Sequence, residues 1–160
     1  MIHLSNVVEK LRMLFIRSFI KYWLPVIFWM GFIFWMSTET FSSQNTFSLV
    51  ETILRFLSPQ ISSQDLELIH AFTRKSAHAI EYFILGLLLF RAFRSGSIAP
   101  LNWRWSFFAV MIVMVWAASD EFHQSYVKTR EASTVDVGID TAGGILAQVL
   151  GILWHRYRKK

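Results

Sequence analysis

No cysteine occurs in the 160-residue chain. Disulfides, thiol nucleophiles and cysteine-bound zinc are thereby excluded, and the redox compartment stays undetermined. Charge is scarce as well: Asp, Glu, Lys and Arg make up 17 % of the residues, against about 25 % in typical soluble domains. Only three prolines interrupt the chain, Pro25, Pro59 and Pro100. There is no internal repeat and no low-complexity tract. The first apolar segment is not followed by a small-x-small site, so no cleavable signal peptide is expected. The net charge of +5 does not argue for nucleic acid as a partner, because much of the basic charge flanks apolar runs.

What fills the sequence instead is apolar and aromatic. Apolar residues account for 54 %, with seven Trp and fifteen Phe. A chain of this length forms one domain, and a soluble domain would struggle to hide so much apolar surface. Lipid is the expected second solvent. Four stretches carry no charge: Tyr22–Thr38, Tyr82–Phe90, Trp105–Ser119 and Thr141–His155. Each is shorter than the roughly 20 residues of a membrane span, but each lengthens if charged ends snorkel or pair. The second does so only by taking in "KSAHAIEYFILGLLLF", with Lys75, His78 and Glu81 inside.

The expected fold is therefore all-α, an integral membrane bundle of four transmembrane helices over residues 22–155. Residues 1–21 place Leu4, Val7, Val8, Leu11, Leu14, Phe15 and Phe19 at helical spacing among basic residues. They are expected to form a basic amphipathic helix, either interfacial or a cytoplasmic extension of span one. Residues 156–160 form a basic tail. Glu39 to Thr73 is a long external segment. In it Phe47, Val50, Ile53, Leu54 and Leu57 repeat at helical spacing before Pro59, which predicts a short interfacial helix or one packed on the bundle. Ser95–Pro100 reads as a tight turn.

With the N-terminus inside, eleven Lys and Arg fall on cytoplasmic segments (residues 10–21, 91–104 and 156–160). Five fall outside: Arg55, Arg74, Lys75, Lys128 and Arg130. That bias places both termini in the cytoplasm.

This topology brings three groups of polar residues to one depth on one side. Lys75, His78 and Tyr82 share a helical face in span two, with Glu81 beside them. Asp120, Glu121, His123 and Gln124 close span three, and Arg130 lies in the short loop after it. Asp136 and Asp140 stand one turn apart at the start of span four. A lone charge in hydrocarbon costs about 2.5–3.5 kcal/mol on insertion scales, so these groups should face one another. They then form either a polar clamp between spans or a water-accessible pocket. In a pocket, His78 or His123 with Asp120 or Glu121 could act in general acid–base chemistry. Lys75 and Arg130 could hold an anion. His, Asp and Glu could ligate a divalent metal, but no HExxH or comparable spacing is present, and neither metal nor cofactor is expected. No nucleophile stands out. Gly143, Gly144 and Gly151 are expected to let span four pack closely.

"RKSAHAIEYFILGLLL" and "SDEFHQSYVKTREASTVDVGIDTAGG", and more loosely "FWMSTETFSSQ", resemble the VanZ-like membrane protein family over about residues 25–155. The family's Pro-Gly before the loop arginine reads "VKTR" here. Matched position by position, the resemblance marks Lys75, His78, Glu81, Tyr82, Asp120, Glu121, Gln124, Arg130, Asp136, Asp140 and Gly143. It implies a small multi-pass protein of the bacterial cytoplasmic membrane. It also implies a link to teicoplanin-type resistance. It carries no established reaction. The first reading of the polar cluster is an outward pocket that binds a lipid headgroup or glycopeptide-related ligand, with membrane lipids and a cell-wall precursor lipid or glycopeptide as expected partners. A membrane enzyme acting on a lipid-linked or phosphorylated envelope substrate is the alternative.

Overall fold

The computed structural model describes residues 2–38, 43–95, 102–126 and 133–158. They form six helices: α1 (Ile2–Tyr22), α2 (Leu24–Met36), α3 (Ser43–Leu57), α4 (Ser63–Arg94), α5 (Trp103–Gln124) and α6 (Thr134–Tyr157). No strand occurs among the described residues. Four helical stretches are long and apolar enough to cross a membrane: Asn6–Met36, Ser63–Arg94, Trp103–Gln124 and Thr134–Tyr157. At 1.5 Å per residue, α5 and α6 are about 33 and 36 Å long, which suits a hydrocarbon core of about 30 Å. Exposed Trp103, Trp154 and Tyr157 mark one end of the bundle, and exposed Trp35 and Tyr126 the other. Such paired aromatic belts sit where lipid meets water.

The 13 residues of α2 cannot cross that core alone, so the first crossing takes in the last turns of α1. The two helices meet through Trp23, whose N–H donates to Phe19 O at 2.8 Å and whose carbonyl accepts from Ile27 at 3.0 Å. Pro25 has no N–H to give to the carbonyl four residues back. That carbonyl, Lys21 O, accepts instead from Arg91 Nη2 of α4 at 3.1 Å. The guanidinium also lies 5.4 Å from the Tyr22 ring centroid. One arginine thus covers the proline gap and ties α4 to the α1–α2 junction.

α4 is longer than the sequence suggests. The external segment expected to run to Thr73 turns helical at Ser63. Ser62 caps it: its Oγ accepts from Asp65 N–H at 3.1 Å and donates to Asp65 Oδ2 at 2.7 Å. Neither Gly nor Pro stops the helix before Gly86. Its charges (Asp65, Glu67, Arg74, Lys75) argue against lipid but not against helix. α3 packs on this added length, with Thr46 Oγ1 3.1 Å from His70 Nε2 and the Phe47 ring edge-on to His70. Its other face, with Leu49, Ile53 and Phe56, stays exposed. The expected packing against the bundle is thus observed through Thr46 and Phe47.

α4 and α6 run parallel, because their paired residues stay 61 or 62 positions apart from one end to the other. Arg94 meets His155, and Gln148 Nε2 donates to Gly86 O at 2.7 Å. Small residues make this seam. A Cβ on Gly86 would stand 2.7 Å from Ala147 Cβ, one on Gly144 2.7 Å from Val113 of α5, and one on Gly143 would run into the carbonyl oxygen of Ala79. α2 runs parallel to α5, and both oppose α4 and α6. Lys21, Arg91, Arg94 and His155 therefore gather at one end, while Asp120, Asp136 and Asp140 gather at the other. Beyond Ser95, which ends α4 in a left-handed conformation with φ 46°, the expected turn lies outside the described residues.

Candidate functional site

At the acidic end the last turns of α2 and α5 and the first turns of α6 enclose the middle of α4. The polar residues there divide into two neighbouring parts.

The first part is closed. Asp120, 1 % exposed, sits one turn before the end of α5, and Gln124 follows at i+4 on the same face. Asp120 Oδ2 accepts from Gln124 Nε2 at 2.9 Å and from Ser37 Oγ at 2.8 Å. Gln124 also reaches Ser37 Oγ at 3.3 Å. Ser37 is buried at the C-cap of α2, and its hydroxyl is also 3.1 Å from Ile33 O. Neutral donors from two spans thus hold a buried carboxylate, the arrangement that limits its desolvation cost. Glu121, on the adjacent face, accepts from the backbone N–H of Ser133 at 2.7 Å. Ser133 is the N-cap of α6, so this carboxylate lies at the positive end of the helix dipole. It also joins both ends of the α5–α6 connection.

The second part is open. Two adjoining cavities of about 80 Å³ each flank α4. One is lined by Ser37 and Thr46 together with Arg74, His78 and Glu81. The other is lined by Arg74, Lys75, His78, Asp136 and Asp140. Arg74 and His78, one turn apart, form the wall between them. Asp140 has no exposed surface, yet neither of its oxygens accepts a hydrogen bond among the described residues. Its nearest charged neighbour is His78 Nδ1, 3.6 Å from Oδ2, which is beyond hydrogen-bond range. Lys75 Nζ lies 3.3 Å from Asp136 Oδ1 at the half-exposed rim. Beneath the wall is Tyr82, fully buried, with no hydrogen-bond partner for its hydroxyl among the described residues. Asp120, Asp140, Glu81 and Glu121 all act on it electrostatically. Each cavity has room for two or three waters at about 30 Å³ apiece.

Of the residues singled out from sequence, Lys75, His78, Glu81, Asp136 and Asp140 line the cavities, and Tyr82, Asp120, Glu121 and Gln124 stand behind or beside them. His123 lines neither cavity; its ring lies against Phe34, centroids 4.1 Å apart. Arg130 lies outside the described residues. Ser37 and Arg74 were not singled out. Ser37 is the first polar residue after the apolar run of α2. Arg74 precedes His78 and Tyr82 at i, i+4 and i+8, a spacing as regular as that of Lys75. Among the described residues, no group of three or more His, Asp or Glu is placed to hold a metal ion.

The VanZ/LLP1 family model matches residues 22–155. No curated protein and no solved structure matches the chain.

Proposed function

Because the chain belongs to the VanZ/LLP1 family, we propose that it is a multi-pass protein of the bacterial cytoplasmic membrane whose polar cavities bind a lipid headgroup or a glycopeptide-related ligand. In this proposal both termini are cytoplasmic and the acidic end faces outward, as the bias of Lys and Arg toward the other end supports. Binding there would change what accumulates at the outer surface and so contribute to teicoplanin-type resistance.

One observation carries the proposal. A clamp between spans draws donors from its neighbours, as Asp120 Oδ2 does from Ser37 and Gln124. Asp140 is equally buried, neither of its oxygens accepts a hydrogen bond among the described residues, and it lines a cavity. A buried carboxylate left without donors costs free energy, and a site that receives a ligand accounts for its retention.

The test is binding of headgroup-bearing lipids and of teicoplanin to the full chain in nanodiscs, beside glycopeptide susceptibility of cells. His78→Ala and Lys75→Ala are expected to weaken both. Unchanged binding and susceptibility in these variants and in Arg130→Ala would refute the proposal.

A second reading has its own support. The imidazole of His78 faces the Asp140 carboxylate at 3.6 Å, the pairing that orients a general base. A membrane enzyme acting on a lipid-linked or phosphorylated envelope substrate would use it. Its hallmark would be turnover of envelope lipids, followed by mass spectrometry and lost in His78→Ala; binding without turnover favours the first reading.

A further inference from the structure

We infer that the group received in the cavity beside α6 is a primary ammonium, taken by Asp140. This deepens the binding proposal above and rests on it.

The argument begins with charge. Five carboxylates gather at the acidic end: Glu81, Asp120, Glu121, Asp136 and Asp140. Asp120 is held by neutral donors and Glu121 by a backbone N–H. Asp136 has Lys75. Asp140 has only the His78 imidazole, 3.6 Å from Oδ2: it is wholly buried, it lines the cavity, and both its oxygens lack a hydrogen bond among the described residues. What the carboxylate lacks is a donor at hydrogen-bond distance, and a cationic one matches the local excess of acid.

A divalent metal fits poorly, since no three ligating side chains converge among the described residues. An ammonium needs no such cage. It carries three N–H donors, so Asp140 can take one or two and Asp136 or cavity water the rest. The chain shows the same chemistry at the rim, where the ammonium of Lys75 lies 3.3 Å from Asp136. At about 80 Å³ the cavity suits a compact –CH2–NH3+ group better than a bulky trimethylammonium. Arg74 and Lys75, which line the same cavity, stand about one turn from His78 toward the start of α4, where an anion next to the ammonium would meet them. An aminophospholipid headgroup and an amino sugar of glycopeptide type both present a primary ammonium.

The experiment measures ligand retention on the full chain in detergent by native mass spectrometry. The lipid probes are phosphatidylethanolamine, phosphatidylcholine and phosphatidylglycerol; the soluble probes are glucosamine and N-acetylglucosamine. Phosphatidylethanolamine is expected to bind about tenfold more tightly than the other two lipids, as loss of a charged hydrogen bond implies. Asp140→Asn should remove that preference and leave phosphatidylglycerol retention unchanged. Binding of glucosamine but not N-acetylglucosamine, dependent on Asp140 and without a lipid preference, would support the ammonium and identify the amino sugar as its source. Ligands bound without preference for a primary amine, or a preference that survives Asp140→Asn, would overturn the inference and leave the binding proposal standing. No retention of any probe by the wild-type protein would bring down both. If Asp140→Asn does not fold, the comparison of ethanolamine with choline lipid on the wild-type chain decides.

Discussion

Asp120 and Asp140 sit on neighbouring helices at the same end of the bundle, and both are buried. Asp120 accepts from a serine and a glutamine of two different spans. Asp140 accepts from no described residue and looks into a cavity. The first ties two helices together; the second is the one on which the binding proposal rests. Burial alone does not separate the two acids; the donors around each do.

Four substitutions bear on that difference. The largest effect is expected from Gly143→Val, because even a Cβ there meets the Ala79 carbonyl. Prying α6 from α4 should cost about 3 kcal/mol and separate Asp140 from His78. Unfolding in detergent would register it, and a loss under 1 kcal/mol would mean that the seam is looser than described. Next comes Asp120→Ala, which strands Ser37 and Gln124 in a buried site and should cost about 2 kcal/mol. Asp140→Asn should act in the opposite direction, raising stability by about 1 kcal/mol through removal of a buried charge that accepts no hydrogen bond among the described residues. Equal losses for the two aspartates would erase the contrast between them. The smallest effect belongs to Gly138→Ala, on the open side of α6, where a Cβ meets nothing within 4 Å. It should gain about 0.5–1 kcal/mol by restraining the unfolded chain, without altering ligand retention.

Much of the architecture was legible in the chain. Charge-free runs located the four crossings, because ionised groups are dear in hydrocarbon. The glycines after Asp140 announced a close seam, and the acids beside apolar runs announced a shared depth. The length of α4 was not legible, since its first turns are polar and polarity says nothing against a capped helix. Nor was the distinction between the two aspartates. Asp120 Oδ2 owes one of its two hydrogen bonds to Ser37, 83 residues away in the chain, and no local pattern encodes that meeting. His123 illustrates the reverse case: an imidazole between two candidate residues in sequence, turned by the helix onto Phe34.

The 32 residues of α4 make a rod of about 48 Å, roughly 18 Å taller than the oily slab it crosses. Its upper turns carry α3 as a ledge, and Thr46 of that ledge borders one of the two cavities. The His78 wall thus belongs neither at the foot of an aqueous well nor deep in oil, but at the waterline. On the binding proposal, a ligand already floating in the leaflet would come to it by drifting sideways, a two-dimensional search, whereas one dissolved in the medium would first have to pass under the ledge.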